Sequence, residues 1–193
     1  FSNATPFNKD IGNWDVSNVT NMANMFYYAT SFNQDIGNWD VSNVTTMQYM
    51  LSYTPLNQDI SNWNVSNVNN MDQLFWYTSS FNKDIGNWDV SNVTTMRYMF
   101  GSSVFNRDIS NWDVSSVNDM FYMFWESEFN QPIGNWNVSN VNNMESMFRS
   151  AKEFNQDISN WDVSGVTDME MMFHTARSFN QDISGWDVSS VTN

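Results

Sequence analysis

Two columns of carboxylates are the side chains best placed to do chemistry in this chain. Asp10, Asp35, Asp59, Asp84, Asp108, Asp157 and Asp182 each stand five residues before a second column, Asp15, Asp40, Asp89, Asp113, Asp162 and Asp187, with Asn64 and Asn137 in the two other copies and Pro132 interrupting the first column. If the copies stack at the usual strand spacing of about 5 Å, like charges repel even in water, so each carboxylate needs a partner. Backbone N–H groups at a turn would serve, as in an Asx-turn. So would Ca²⁺ bridging neighbouring copies, since hard cations select oxygen ligands; the candidate set is Asp35, Asp40, Asp84, Asp89, Asp108 and Asp113. The spacing matches no established calcium loop, and both readings stay open at this stage.

Other chemistry has less to stand on. His174 is the only histidine, cysteine is absent, no glycine-rich phosphate loop occurs, and the serines recur as frame residues without a nearby base. No enzyme is expected, and no cofactor other than the candidate Ca²⁺. Seven Lys plus Arg against 21 Asp plus Glu give a net charge of −14, which repels a nucleic-acid backbone. No run approaches the roughly 20 apolar residues of a membrane span, so membrane insertion by this segment is not expected. A cysteine-free secreted protein fits a bacterial surface better than a small disulfide-stapled domain, and the absence of cysteine is also compatible with the cytosol.

The carboxylates are positioned by a repeat. Tryptophans at 14, 39, 63, 88, 112, 136, 161 and 186 are 24 or 25 residues apart, an array period. The repeats run at about 7–31, 32–55, 56–80, 81–104, 105–128, 129–153 and 154–178, with a partial one at 179–193. In "IGNWDVSNV", Trp14 and Val16 alternate with Asn13, Asp15 and Ser17, the period of a half-buried strand. In "VTNMANMFYYA", Met22, Met25, Phe26 and Ala29 follow the stripe of a two-turn helix, with Thr20 at the N-cap; Thr45 with Gln48, Asn142 with Glu145, and Thr167 with Glu170 have capping-box spacing. The expected fold is therefore α/β: a right-handed, leucine-rich-repeat-like solenoid of about eight coils, each with one short strand in a parallel sheet and one short helix. The column Asn8, Asn33, Asn57, Asn82, Asn106, Asn130, Asn155 and Asn180 is expected to satisfy backbone groups at one corner of every coil. Sequons at Asn3, Asn18, Asn43, Asn64, Asn92 and Asn137 arise from the frame itself. Neither end carries a polar cap, so the chain reads as a segment of a longer array.

"MFYYATSFNQDIGNWDVSNVTTM", Met25 to Met47, resembles the BspA-like branch of the leucine-rich repeats, with Met25 and Phe26 at its A-F, Ala29 at its Cys, Trp39 and Val41 at its I-x-I, and Ser42, Val44 and Thr45 near its S-V-T. It resembles still more the bacterial surface-protein repeat of about 26 residues, the DUF285 type of Mycoplasma lipoproteins and of Listeria and Bacteroidetes surface proteins, whose hallmark reads "FNQDISNWDVSNVTNM". That resemblance covers essentially the whole chain. It implies an extracellular or cell-surface solenoid, often assigned to adhesion, with no established enzymatic activity.

Function should then appear where the copies differ. Tyr27, Tyr28, Tyr49, Tyr53, Trp76, Tyr77, Tyr98, Phe121, Tyr122 and Trp125 occupy variable positions that face away from the Met/Phe stripe, and beyond Trp125 the same positions turn polar. Exposed aromatic patches mark interfaces, and flat rings stack on sugars. The expected function is a non-catalytic cell-surface or secreted scaffold for adhesion or recognition of a protein or glycan through this face. The alternative is a structural repeat of an extracellular fibre, self-associating end to end or laterally with further repeats.

Overall fold

A computed structural model describes residues 1–193. The repeats lie on one another in parallel. Single β-bridges join Asn21 to Thr46, Thr46 to Asn70, Asn70 to Thr95, Thr95 to Asp119, Asp119 to Asn143 and Asn143 to Asp168. Between bridges the backbone is a succession of turns, with no helix and no strand beyond the bridge residues. The expected α/β solenoid with one strand and one helix per coil is therefore not the architecture of this protein.

The reason lies in where the backbone hydrogen bonds go. Met22, Asn24, Phe26 and Tyr28 donate their N–H groups to the carbonyls of Thr46, Gln48, Met50 and Ser52 in the next repeat. The intervening N–H groups of Met25, Tyr27 and Ala29 close local turns onto the carbonyls of Met22, Asn24 and Phe26. Met47, Tyr49, Leu51 and Tyr53 then donate onward to Asn70, Asp72, Leu74 and Trp76. Backbone donors in this segment thus divide between the next repeat and a three-residue turn, with Ala23 N–H bonded to Asn21 Oδ1, and none remains for the i→i−4 ladder of an α-helix. From Met22 to Tyr28 the donor of each backbone bond between repeats is in the earlier repeat, whereas just before the bridge the direction reverses, as from Thr45 N–H to Thr20 C=O at 2.8 Å.

The turns require left-handed backbone at two positions per repeat. One column is Asn24, Tyr49, Gln73, Tyr98, Tyr122, Ser146 and Met171; the other is Asn3, Tyr28, Tyr53, Tyr77, Ser102, Glu126, Ser150 and Thr175. All have φ between 48° and 60°, and no glycine in the chain has positive φ. Units of four residues with two inward side chains also generate an i, i+3, i+4, i+7 stripe, so the same apolar pattern serves a chain of turns: Met22, Phe26 and Ala29 are buried and Met25 partly so.

The expected strand is also made of turns. Trp14 N–H bonds to Ile11 C=O at 3.0 Å, and Val19 N–H to Val16 C=O at 2.8 Å. Trp39 and Val41 still point inward and Asp40 outward, but the alternation comes from two successive corners. The N-cap assignments fail with the helix: the hydroxyls of Thr45 and Thr167 donate to the carbonyls of Thr20 and Asn142 in the preceding repeats.

Side chains fill the interior in columns. Fifty-two residues form one apolar core. Phe75, Phe100, Phe124, Phe148 and Phe173 stack face to face with centroids 5.5–5.8 Å apart. Trp39, Trp63, Trp88, Trp112, Trp136, Trp161 and Trp186 each donate the indole N–H to the carbonyl of the Ile one repeat earlier, as Trp39 does to Ile11 at 3.1 Å. The asparagine column behaves as expected: Asn8 Oδ1 accepts the N–H of Asn33 at 3.0 Å, Asn33 that of Asn57 at 2.9 Å, and so on to Asn155 and Asn180. No helix is long and apolar enough to cross a membrane.

Candidate functional site

The first aspartate column makes Asx-turns. Oδ1 of Asp35 accepts Gly37 N–H at 2.9 Å, Asp84 accepts Gly86 N–H at 2.9 Å, and Asp108 accepts Ser110 N–H at 2.8 Å. In the second column Asp40, Asp89 and Asp113 accept the N–H of Ser42, Ser91 and Ser115 at 3.0–3.1 Å. One oxygen of each of the six carboxylates is thereby engaged by its own backbone, and no three or more His, Asp or Glu side chains come together around a common point. Asn64 and Asn137 form the same turn with Ser66 and Ser139, so the turn does not depend on negative charge. A third column escaped the sequence reading: Asn21, Asn70, Asp119, Asn143 and Asp168 accept N–H bonds from the residue two positions on, at the bridge itself. Its signal in the sequence is the Asn/Asp/Thr choice just before each Met.

The ten aromatic residues come together at the surface. Tyr28 and Tyr77 are 42% and 38% exposed, and the other eight are half-buried against one another. The contacts run without a break. Tyr27 meets Tyr49 and Tyr53 edge-on at 5.7 and 6.0 Å, Tyr53 stacks on Tyr77 at 4.7 Å, and Trp76 joins Tyr53 at 5.1 Å to Tyr98 at 5.5 Å. Tyr98 stacks on Tyr122 at 4.8 Å, and Phe121 and Trp125 pack against Tyr122 at 4.4 and 5.8 Å. Burial pushes the Tyr53 and Tyr98 phenols above the usual tyrosine range, so these rings are neutral at physiological pH.

Two features of the sequence build this band. Tyr28, Tyr49, Tyr53, Tyr77, Tyr98 and Tyr122 stand at the left-handed positions, and each is exposed or half-buried. Between the two columns runs a third, Tyr27, Ser52, Trp76, Gly101 and Trp125, alternating large and small. In this column the small residue makes room for the indole of the repeat beside it. At Gly101 an added Cβ would stand 3.1 Å from Cδ1 of Trp76. Trp76 Nε1 is the one buried side-chain nitrogen or oxygen without a hydrogen-bond partner.

Because the paired tyrosines stack on one another, much of their flat surface faces another ring. The flat platform expected for sugars is correspondingly reduced, and edges, phenol groups and the ends of the stacks are what the band offers to solvent.

Arginine already visits this face. The Arg97 guanidinium lies 5.1 Å over the Phe121 ring and 3.6 Å from the Asp119 carboxylate, and Arg149 donates to the Tyr122 hydroxyl at 3.2 Å. Burial raises Asp119 above the ordinary carboxylate value. His174, on the last turn segment, is exposed.

No curated protein and no solved structure matches the chain. Matches to the family model described as "Mycoplasma protein of unknown function, DUF285" span residues 1–56, 52–138 and 102–193, and with the whole chain covered, the protein belongs to the DUF285 family.

Proposed function

We propose that the protein is a non-catalytic recognition scaffold of a cell surface or secreted product, and that its aromatic band is the contact face. The observation that carries this is the continuity of ten rings across five repeats, six of them held by tyrosines at left-handed φ. A bulky residue there costs about 1–2 kcal/mol relative to glycine or asparagine, whereas a stacked aromatic pair returns about 0.5–1.5 kcal/mol. Stability alone gives no clear preference for tyrosine at these sites. A surface role supplies the missing reason. Contiguous aromatic surface of this kind is enriched at binding interfaces, where rigid rings contribute area at low entropic cost. On the same reading the repeat is kin to the BspA-like leucine-rich repeats, supported by the spacing of Phe26, Ala29, Trp39 and Val41.

The test replaces Tyr53, Trp76 and Tyr77 together by serine and measures adhesion to immobilised proteins and glycans, with thermal melting as the control for folding. Loss of adhesion with a retained cooperative transition is the expected result. Unchanged adhesion overturns the band as contact face. Loss of self-association in sedimentation instead would assign the band to lateral packing of copies.

A further inference from the structure

One ring column ends abruptly inside the band. Tyr28, Tyr53 and Tyr77 follow one another at the second left-handed position, with Tyr53 and Tyr77 stacked at 4.7 Å and an 11° interplanar angle. In the next repeat the position is Ser102, and in the one after it Glu126. The Ser102 hydroxyl donates to Glu126 Oε2 at 3.1 Å, which fixes the carboxylate above the place where a fourth ring would lie. Trp125 stands beside it, 6.1 Å from Tyr77 and turned 77° to it, and forms a side wall.

The dimensions suit a flat cation. Two repeats span about 10 Å. Tyr77 is 38% exposed, and a planar group stacked on it at the spacing Tyr53 adopts would stand at the level of Ser102, to which the Glu126 carboxylate already reaches at 3.1 Å. Glu126 is exposed and makes no ion pair, because the single pair in the protein joins Arg97 to Asp119. Lys152 and Arg177 line the polar groove that runs on from Glu126 without pairing with it. An aromatic face with a fixed carboxylate is the combination that recognises a guanidinium, through cation–π attraction on one side and an ion pair on the other. The band shows the same contact internally, with Arg97 over Phe121 and against Asp119. A net charge of −14 draws a basic partner toward this surface.

We infer that Tyr77, Trp125 and Glu126, with Ser102 holding the carboxylate, form a niche for an arginine side chain of a basic protein partner. This rests on the aromatic band being the contact face and names the chemistry of what it contacts. Arginine fits better than lysine because its plane matches the ring stack, and an uncharged glycan leaves Glu126 without a counter-charge.

The probe is a short peptide of alternating Arg and Gly, titrated calorimetrically at physiological salt against the full chain, with a citrulline version of the same shape and no charge. Glu126→Gln is expected to weaken binding roughly tenfold, the loss of one charge-assisted hydrogen bond. Glu153→Gln removes the same charge from the neighbouring groove and is expected to change affinity less than about twofold, in the range of an exposed charge. Ser102→Tyr completes the ring column, at a backbone conformation that Tyr77 already adopts, and is expected to abolish binding while the melting transition is retained. Equal losses in Glu126→Gln and Glu153→Gln, equal binding of the citrulline peptide, or full binding by Ser102→Tyr would each overturn the niche. If the niche variants have no effect while the triple serine variant loses adhesion, the niche fails and the band stands. If the triple variant also adheres normally, both fail.

Discussion

The indole N–H of Trp88 donates to the carbonyl of Ile60 at 3.2 Å, and that carbonyl also accepts the backbone N–H of Trp63 in its own repeat at 3.1 Å. One oxygen therefore closes a turn within a repeat and fastens the next repeat onto it. The column places this double acceptor at every junction from Ile11 onward.

Replacement of Trp88 by phenylalanine removes the bond and leaves part of the space empty. It is expected to cost about 2–3 kcal/mol, the sum of a lost hydrogen bond and a small cavity. Trp14, at the first position of the column, is 47% exposed and donates no such bond, so Trp14→Phe is expected to cost less than about 1 kcal/mol. Urea denaturation of the two variants measures the contrast.

Gly101 yields its space to Trp76. An alanine there puts a methyl group 3.1 Å from the indole, and a valine adds two methyl groups in the same place. Gly101→Val is expected to lift Trp76 out of the band, raise its accessibility to an acrylamide quencher, and destabilise the fold by about 1–3 kcal/mol. An unchanged quenching profile would show that the alternation of large and small residues does not position the ring.

The left-handed columns predict a gain of stability from glycine. Gln73 has φ of 58° and its side chain makes no hydrogen bond. Relief of about 1–2 kcal/mol of conformational strain outweighs the 0.5–1 kcal/mol that glycine adds to the unfolded chain's freedom, so Gln73→Gly should stabilise by up to about 1 kcal/mol. The same substitution at the adjacent Leu74, buried and outside the left-handed columns, should destabilise by several times that amount. Thermal melting of both variants separates backbone strain from packing.

The aspartate turns predict how the protein responds to acid. The hydroxyl and then the N–H of Ser164 hold Asp162 below its ordinary value of 3.8, and Ser17 does the same for Asp15. A carboxyl whose folded value is depressed stabilises the fold above its unfolded value, and that contribution is lost as pH falls through the folded value. Asp119 and Glu145, raised by burial, act in the opposite sense, but nine aspartates are lowered against these two. The melting temperature is expected to fall as pH drops below about 3.8. Asp162→Asn should leave it nearly unchanged at neutral pH, as Asn64 and Asn137 make the same turn, while Asp162→Ala should lower it.

The period, the identity of the buried columns and the ten residues of the aromatic band are legible in the order of the amino acids alone. All are properties of side chains: a repeat of 24 or 25 residues writes the core columns out eight times, with Ile36, Trp39, Val41 and Met47 all buried, and the band stands where the copies differ. It also held both uses of the aspartates, and the tertiary structure showed the Asx-turn at each. The backbone was another matter. Whether Met22 to Ala29 coils into a helix or lies down as turns depends on where each N–H finds its acceptor, and the acceptors of Asn24, Phe26 and Tyr28 belong to Gln48, Met50 and Ser52, some 24 residues away. A helix and a chain of four-residue turns bury the same stripe. Only stacking, which offers every second donor a carbonyl in the next repeat and forces two residues per repeat into left-handed φ, decides between them.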